Sequence, residues 1–355
     1  MKLSRLVVFV VTLLLLPAAT AFAGFRAADL VIIPVAAATP GLEGSNWRSD
    51  VEILNVDTVA IDVLIVFLPS GGSSNYLWYS NVENHLSGRA SDGFGKIDEK
   101  LKDIGPGKSV LIGDIIRTHW GESLKGALLI FAFEANSYTA TTPPGGRPKK
   151  IIAHSRTYDY KVSGTNEEIA YGQQINGLPW YDYMNPTLES KGYNRVVLSG
   201  IRQDDDYRTA VGVVNVSDPL TTVYAELILR GADGTELSKR AVVLLPLAHE
   251  QFDLAVWDFF GVDATTDVVG ATVEVRMQLW ESQAGSPVPA LMAYASRVNN
   301  RTNDPVQLEQ AWRSELPWDC VYNGNCTGVA TAGAAGSVPG AAAPAWRRPL
   351  DPPRR

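Results

Sequence analysis

Cysteine is almost absent from this sequence. The two cysteines, Cys320 and Cys326, lie close together near the C-terminus, and no histidine or third cysteine nearby completes a metal site. In an oxidising compartment such a pair forms a small disulfide loop, so we predict a Cys320–Cys326 bond. The rest of the chain has no cysteine and must fold through hydrophobic cores alone.

Catalytic motifs are also missing. The four histidines, His85, His119, His154 and His249, show neither helical pairing nor the spacing of metal ligands. The sequence contains no Gly-x-Ser-x-Gly elbow and no His-Glu-x-x-His motif. We therefore predict a protein that is not an enzyme and has no metal site. A glycosidase needs only two carboxylates across a cleft, so a carbohydrate-active or other hydrolytic protein with an inter-domain cleft stays an alternative.

An excess of basic charge is lacking too. The formal net charge is -7, which argues against a nucleic-acid partner because phosphate binding needs a basic surface. We predict no cofactor, although Ca²⁺ is an alternative because extracellular modules hold it through loop oxygens. The oxygen-rich candidates for such a site are Asp204, Asp205, Asp206, Asn299, Asn300, Asn303 and Asp304.

Long apolar runs are confined to the N-terminus. Lys2 and Arg5 precede an apolar run from Leu6 to Leu16, and Ala21-Phe22-Ala23 offers a small-x-small cleavage site. This pattern predicts a signal peptide over residues 1–23, and no second stretch is long enough to span a membrane. We expect an exported protein located in the periplasm, at the cell surface or outside the cell.

What the sequence does contain is an internal repeat. Trp47-Arg48-Ser49-Asp50-Val51 aligns with Tyr207-Arg208-Thr209-Ala210-Val211, and Ala153-His154-Ser155-Arg156 aligns with Tyr294-Ala295-Ser296-Arg297. The same order in both places predicts a tandem duplication. The repeated arginines, Arg48 with Arg208 and Arg156 with Arg297, are interpreted as structural because duplicated residues usually serve the shared fold. A ligand-clamping guanidinium in each copy is the alternative.

Short apolar segments of strand length dominate the chain, separated by turn residues. They predict an all-β fold of two tandem immunoglobulin-like β-sandwiches with short crossover helices before Gly121 and Gly261. Asn55 and Asn215 are predicted to be turn residues. The predicted boundaries are 24–172 for the first sandwich, 173–194 for a linker, 195–312 for the second sandwich and 313–355 for a cysteine-bearing, mostly disordered tail.

The two copies differ by an insertion, Ser70 to Gly105, which is present once. Aromatic residues in this insertion and in the linker are candidate binding residues, because exposed aromatics stack on sugars or anchor a protein partner. They are Tyr76, Trp78, Tyr79, Trp180 and Tyr181. The predicted function is a secreted or cell-surface binding or structural module for a glycan or a cell-surface protein. A subunit of an extracellular assembly with pairing edge strands is a further alternative.

Five short segments carry a family resemblance. They are Ile33-Pro34-Val35-Ala36, Trp47-Arg48-Ser49-Asp50-Val51, His154-Ser155-Arg156-Thr157-Tyr158, Tyr207-Arg208-Thr209 and Ala295-Ser296-Arg297. Through them the sequence resembles a group of exported bacterial proteins with tandem β-sandwich domains. The resemblance covers roughly residues 29–305 and implies the fold and export, without a substrate.

Overall fold

The computed structural model describes residues 26–71, 99–137, 147–162, 168–184, 195–217, 221–282 and 289–312. Antiparallel strands make up most of this part, so the predicted all-β class is confirmed. The strands are β1 (Leu30–Pro40), β2 (Asn46–Asn55), β3 (Ile61–Pro69), β4 (Ser109–Ile112), β5 (Leu124–Glu134), β6 (Ile151–Val162), β7 (Glu168–Asn176), β8 (Leu178–Pro179), β9 (Arg195–Gln203), β10 (Tyr207–Asn215), β11 (Thr221–Arg230), β12 (Glu236–Leu244), β13 (His249–Phe252), β14 (Val268–Ser282), β15 (Leu291–Asn299), β16 (Pro305–Glu309) and β17 (Ala311–Trp312).

Helices are short connections between these strands. An α-helix spans Ile115–His119, a π-helix spans Ala255–Phe259, and 3₁₀ turns lie at Leu42–Gly44, Glu99–Leu101 and Trp180–Asp182. The two predicted crossover helices are therefore present, although the second has π rather than α geometry. Gly121 and Gly261 follow them with φ of 111° and 73°. Each donates its N–H back into the last turn, as a glycine C-cap does.

Residues 26–184, here called the first unit, form one continuous eight-stranded sheet in the described part of the chain. Its order is β3-β5-β1-β2-β6-β7, with β4 on β2 and β8 on β1. Residues 195–312, the second unit, form two sheets of order β13-β10-β15-β16 and β12-β11-β14-β9-β17. The ladder β4-β2-β6-β7 thus has the same chain order as β13-β10-β15-β16, and β3-β5-β1-β8 the same as β11-β14-β9-β17.

The first unit differs from the predicted sandwich of two separate sheets. Strand β1 is eleven residues long, and its register against β5 shifts between Ile33 and Ala36. A bulge of this kind bends a strand. Beyond the bulge the strand continues far enough for Thr39 to pair with Trp47 of β2. Strand β1 therefore pairs with β5 in one layer and with β2 in the other, and it joins the two layers into one sheet.

The predicted linker 173–194 differs from the structure at its start. Strand β7 runs through the predicted boundary, where Gln173 pairs with Thr157 of β6. Leu178 and Pro179 then pair with β1. Residues 173–179 therefore belong to the first unit, because their backbone groups complete its ladders. The segment contains the turn-forming residues Asn176-Gly177 and Pro179, but the turn at Gly177 lies between β7 and β8 and not between the two units.

The burial pattern along the strands shows which faces of the sheets are covered. In β11 the side chains of Val223, Ala225 and Leu227 are buried and those between them are half-buried, the period of two that a strand with one wet face shows. In β3 and β5, by contrast, nearly every side chain is buried. The first unit therefore has this part of its sheet covered on both sides.

The two units share a packed junction. The hydrophobic core of the first unit includes side chains contributed by the second unit, namely Val214, Val216, Leu247, Ala290, Met292 and Tyr294. Burial of a large apolar side chain contributes roughly 2 kcal/mol, so these residues fasten the units firmly. A second core lies within residues 184–308. Within the described residues no helix is long and apolar enough to cross a membrane.

Candidate functional site

The arginines Arg48 and Arg208 occupy matching positions in β2 and β10, but their partners differ. The guanidinium of Arg48 lies with Nε 3.5 Å from the carboxylate of Asp114. The guanidinium of Arg208 donates to the amide oxygens of Asn300 and Asn303 at 3.0 and 2.9 Å. Both arginines are buried. One is thus paired with a carboxylate and the other with neutral amides.

Arg156 and Arg297 are not equivalent, which corrects the sequence alignment. Arg156 faces Asp50 across the β2–β6 ladder, whereas Arg297 faces Thr209, the counterpart of Ser49, across β10–β15. The two arginines are therefore one residue out of step and lie on opposite faces of their sheets. The shared Ser-Arg pair suggested the match, but the backbone register decides on which face each arginine lies.

The two off-step arginines also have different surroundings. Arg156 is exposed and its guanidinium lies 5.0 Å from the ring centre of Tyr158. Arg297 donates to the carbonyl of Gly200 at 3.2 Å and lies 5.5 Å from the ring centre of Tyr207. Both use the stacking that a planar guanidinium favours, but only Arg297 also fastens two strands together.

The matching asparagines Asn55 and Asn215 hold turns, as predicted. Each is fully buried, and each side-chain oxygen accepts the N–H of the residue two positions later. The Asn55 amide donates to the carbonyls of Val59 and Ile104. The Asn215 amide reaches three carbonyls, those of Thr221, Leu244 and Leu245, at 2.8 to 3.0 Å. These side chains tie strand ends together.

The predicted aromatic binding residues are not brought together as an exposed cluster in the described part of the chain. Trp180 is half-buried, packs against the first core and donates its indole N–H to Asp29 at 3.0 Å. Its role here is packing. Tyr76, Trp78, Tyr79 and the Tyr181 side chain lie outside the described residues, as does most of the insertion Ser70 to Gly105. Cys320 and Cys326 also lie outside them, so the disulfide stays a prediction.

The acidic and amide-rich loops considered for Ca²⁺ meet at one end of the second unit. Asp204 accepts two backbone N–H groups and the Nε–H of Arg202, and Asp206 pairs with Arg301 at 2.8 Å. Asn300 and Asn303 point their oxygens at Arg208. These oxygens therefore bind protein cations. No group of three or more histidine, cysteine or carboxylate side chains converges anywhere in the residues described.

A cavity of about 110 Å³ lies at the junction of the two units. Its wall mixes apolar groups with amide, hydroxyl and charged groups, and Asp253 is the one carboxylate in it. The lining residues that can hydrogen-bond through their side chains are Thr39, Trp47, Lys125, Thr157, Gln173, Arg208, Gln251, Asp253, Tyr294 and Ser296. Both units contribute to this set, so the site exists only where they meet.

A chain of side-chain hydrogen bonds leads from the buried core to this cavity. The His249 imidazole Nε2 lies 2.7 Å from the Tyr294 hydroxyl, which donates to Gln251 Oε1 at 2.8 Å. Gln251 donates to Asp253 at 2.6 Å, and Lys125 donates to both oxygens of Asp253 at 2.7 Å. Because the Tyr294 proton is used by Gln251, His249 must carry its proton on Nε2. Every link then has one donor and one acceptor.

Burial keeps the inner end of this chain uncharged. Desolvation and, to a smaller extent, the nearby Lys125 ammonium lower the pKa of His249 to about 3, against the raising effect of Asp253. Desolvation also raises the pKa of Tyr294 above its ordinary value. Neither group is ionised near neutral pH, and the charged pair Lys125–Asp253 stands at the half-exposed end. The chain is therefore a structural connection that links the two units.

The buried imidazole predicts a pH-dependent stability. The unfolded chain binds a proton at His249 near its ordinary pKa of 6.5, whereas the folded chain does so only near 3. The contribution of neutral His249 to the free energy of unfolding is therefore fully present above pH 6.5. It falls by about 1.4 kcal/mol per pH unit as the pH drops toward 3. Urea unfolding of wild type and His249→Gln at pH 7.0, 5.5 and 4.5 measures it, and the stability advantage of wild type should shrink at each step.

A comparison of variants is needed because Asp182 acts in the opposite sense. Desolvation raises the pKa of its carboxyl group to about 6, against the lowering effect of Arg26. The folded chain therefore binds this proton first, and stability rises as the pH falls from about 6 to 4. This contribution is common to wild type and His249→Gln and cancels in the difference. An advantage of wild type that stays constant with pH would contradict the role given to His249.

Of the residues that line the cavity, sequence reasoning considered only Arg208 as a possible ligand contact. Gly212 stands in β10 where β2 has Glu52, and Tyr294 stands opposite it where β6 has His154. An added Cβ at Gly212 would overlap the Tyr294 ring. The sequence shows that Gly212 and Tyr294 differ from their counterparts Glu52 and His154. Only the strand register shows that the two differing residues face each other.

No protein-family model matches the chain, and no curated protein matches it. Among solved structures, it is similar to a Bacteroides uniformis β-glucuronidase 2, covalently bound to cyclophellitol-6-carboxylate aziridine, with 10% identity and a TM-score of 0.14. A calcium-binding mutant of the same enzyme, D341A D367A, gives 10% identity and a TM-score of 0.15. The matches cover 75% and 81% of this chain and 24% and 26% of those chains. The chain therefore spans about a quarter of the length of these proteins.

Proposed function

We propose that this protein is an exported, non-catalytic binding module of two duplicated, immunoglobulin-like β-sandwich units, with its ligand site in the junction cavity. The recurring strand order of the two units supports the duplication. The observation that carries the binding proposal is the cavity wall, to which both units contribute hydrogen-bonding side chains. Sites lined by apolar surface with a few placed polar groups are typical of ligand binding.

The chemistry of the wall favours binding over hydrolysis. A glycosidase uses two carboxyl groups in different protonation states. Among the described residues the cavity wall has one carboxylate, Asp253, and both of its oxygens accept hydrogen bonds from Lys125. His249 is buried against Tyr294 and is not part of the described cavity wall, and its pKa of about 3 makes it a weak base. The described side chains of the wall can bind a ligand through hydrogen bonds, and none of them is placed as a nucleophile or a general base.

Filling the cavity tests this proposal. Ala210 lines the cavity from β10, and Ala210→Leu adds a branched side chain to this space. Ala241→Leu, on the exposed side of β12, is the matched control. We expect a ligand found by glycan-array and surface-protein screening of wild type to bind Ala210→Leu at least 10-fold more weakly and Ala241→Leu unchanged. Each 10-fold loss corresponds to about 1.4 kcal/mol of binding free energy.

Two results would count against the proposal. Equal binding to wild type and Ala210→Leu would place the ligand elsewhere on the surface. Turnover of a screened glycan, lost on Asp253→Asn, would favour the hydrolytic alternative. Both variants change one side chain at the cavity and leave the two cores intact.

A further inference from the structure

Arg208 carries a buried positive charge without an ion-pair partner in the described part of the chain. Its residue surface is 6% exposed, and the residue is part of the wall of the junction cavity. Two of its five N–H groups donate to Asn300 and Asn303, whose amide oxygens are neutral. A buried charge is stable only when it is paired, and the penalty for an unpaired ion reaches several kcal/mol.

The two amides are fixed with their oxygens toward the arginine. Asn303 donates its N–H to the carbonyl of Glu43 at 3.3 Å, and Asn300 donates to the carbonyls of Asp204 and Asp205. An amide has its donor and acceptor on opposite branches, so these bonds settle which end faces Arg208. The two amides therefore hold the guanidinium in one orientation, and its other three N–H groups donate no hydrogen bond to a described residue.

The matching arginine of the first unit shows what is missing. Arg48 has the same position on the equivalent strand, and Asp114 lies 3.5 Å from its Nε. In the second unit the residue equivalent to Asp114 is Leu254, one position after Asp253, which is bound to Lys125. The second copy has thus kept the arginine and lost its carboxylate, and a cavity adjoins it.

The remaining charges around the cavity do not replace that carboxylate. Lys125 and Asp253 neutralise one another. Glu43, Asp159 and Asp253 are not within ion-pair distance of Arg208, although their charges oppose the lowering of its pKa by burial. Asp159 accepts the N–H of Asn46 at 2.7 Å. The described residues of the cavity wall, Lys125, Asp253 and Arg208, therefore carry a net charge of one positive unit.

We propose that the junction cavity binds a small organic carboxylate, whose carboxylate group pairs with the unused N–H groups of Arg208. The proposal rests on the binding function given above and names the ligand class. A planar guanidinium fits a carboxylate through two parallel hydrogen bonds. The hydroxyl and amide groups of Thr157, Gln173 and Ser296, which line the same cavity, suit hydroxyl groups on the ligand.

The volume and the charge of the cavity restrict the class of ligand further. A cavity of about 110 Å³ has room for several waters at roughly 10–15 Å³ each, so the bound group has about ten non-hydrogen atoms or fewer. A phosphorylated group carries about −1.5 to −2 charges at pH 7, more than a carboxylate does. A single arginine beside the Asp253 carboxylate balances one negative charge better than two. A monoanionic hydroxy acid matches both conditions.

Thermal unfolding and calorimetry with chosen probes test the proposal. The probes are sodium glycolate, lactate and glycerate, compared with sodium chloride at equal ionic strength and pH 8, with lactamide as the neutral counterpart of lactate and inorganic phosphate as an anion that is mostly dianionic at this pH. We expect at least one carboxylate to raise the unfolding temperature of wild type above its value in chloride, and lactamide and phosphate to leave it unchanged. Arg208→Gln should bind that carboxylate at least 10-fold more weakly, and Arg48→Gln should bind it as wild type does.

The variants and probes distinguish the different ways in which the proposal could be wrong. If Arg208→Gln unfolds, Ala210→Leu takes its place and should lose the carboxylate effect while it keeps a cooperative transition. If no carboxylate stabilises wild type, or if Arg208→Gln and Arg48→Gln weaken binding equally, the proposal is wrong. If lactamide binds as tightly as lactate and Ala210→Leu abolishes both, the cavity is a binding site, but the assignment of a charged ligand is overturned.

Discussion

Replacing Gly212 with alanine is expected to destabilise the protein by about 3 kcal/mol. The new Cβ would overlap the ring of Tyr294. This ring is 1% exposed, and its hydroxyl is bonded to His249 and Gln251, so it cannot swing aside freely. Overpacking costs roughly 1–3 kcal/mol, and loss of the buried hydrogen bonds adds about 1–3 kcal/mol. Equilibrium urea unfolding measures the change as a lower midpoint with an unchanged slope.

A double-mutant cycle separates the clash from a general effect of alanine on the strand. Tyr294→Ala alone should cost roughly 3–5 kcal/mol, as loss of a large buried aromatic residue does. In that background Gly212→Ala should cost less than about 1 kcal/mol, because no ring remains to collide with. If the alanine costs the same with and without Tyr294, the close approach of the two residues is not the cause.

Asn215→Ala is expected to cost about 3 kcal/mol of stability. The lost amide leaves the carbonyls of Thr221, Leu244 and Leu245 without this donor, and the Ser217 N–H without its acceptor. A buried polar group left unsatisfied costs about 1–3 kcal/mol, and partial relaxation of the turn reduces the total. Urea unfolding of the purified variant gives the value.

Asn55→Ala serves as the internal comparison. Asn55 donates to two carbonyls, where Asn215 reaches three, so its loss should destabilise the first unit by a smaller amount. Asn215→Asp keeps the acceptor for Ser217 but sets a negative oxygen against carbonyl oxygens, and it should be no more stable than Asn215→Ala. Near-wild-type stability of Asn215→Asp would show that the donated bonds contribute little.

Much of the secondary structure follows from local sequence. Strand β11 alternates between buried and half-buried residues, and the hairpin after it turns at Gly234 with φ of 84°, as the Asp-Gly pair predicts. Gly121 and Gly261 end the two short helices where expected. The asparagines Asn55 and Asn215 hold the predicted turns. These features depend on residues within a few positions of one another, so a single sequence carries enough information.

The candidate site depends on contacts that local sequence does not encode. Lys125 meets Asp253, and Gln173 meets Ser296, only because a face of the second unit packs on the first unit. The sequence identified the matched arginines Arg48 and Arg208. It did not show that Arg48 pairs with Asp114, nor that Arg208 donates to two asparagine amides. Their partners come from loops far along the chain, which no repeated pattern links to them.

The short apolar segments in the sequence determined the β-rich fold, and the repeated segments determined the equivalent positions of Arg48 and Arg208 and the turns at Asn55 and Asn215. The tertiary structure decided that Arg156 and Arg297 lie on opposite faces, because a shift of one residue in strand register reverses the direction of a side chain. It also decided where the cavity lies. A cavity forms where two packed surfaces fail to fill the space between them, and this depends on the shapes of both units together.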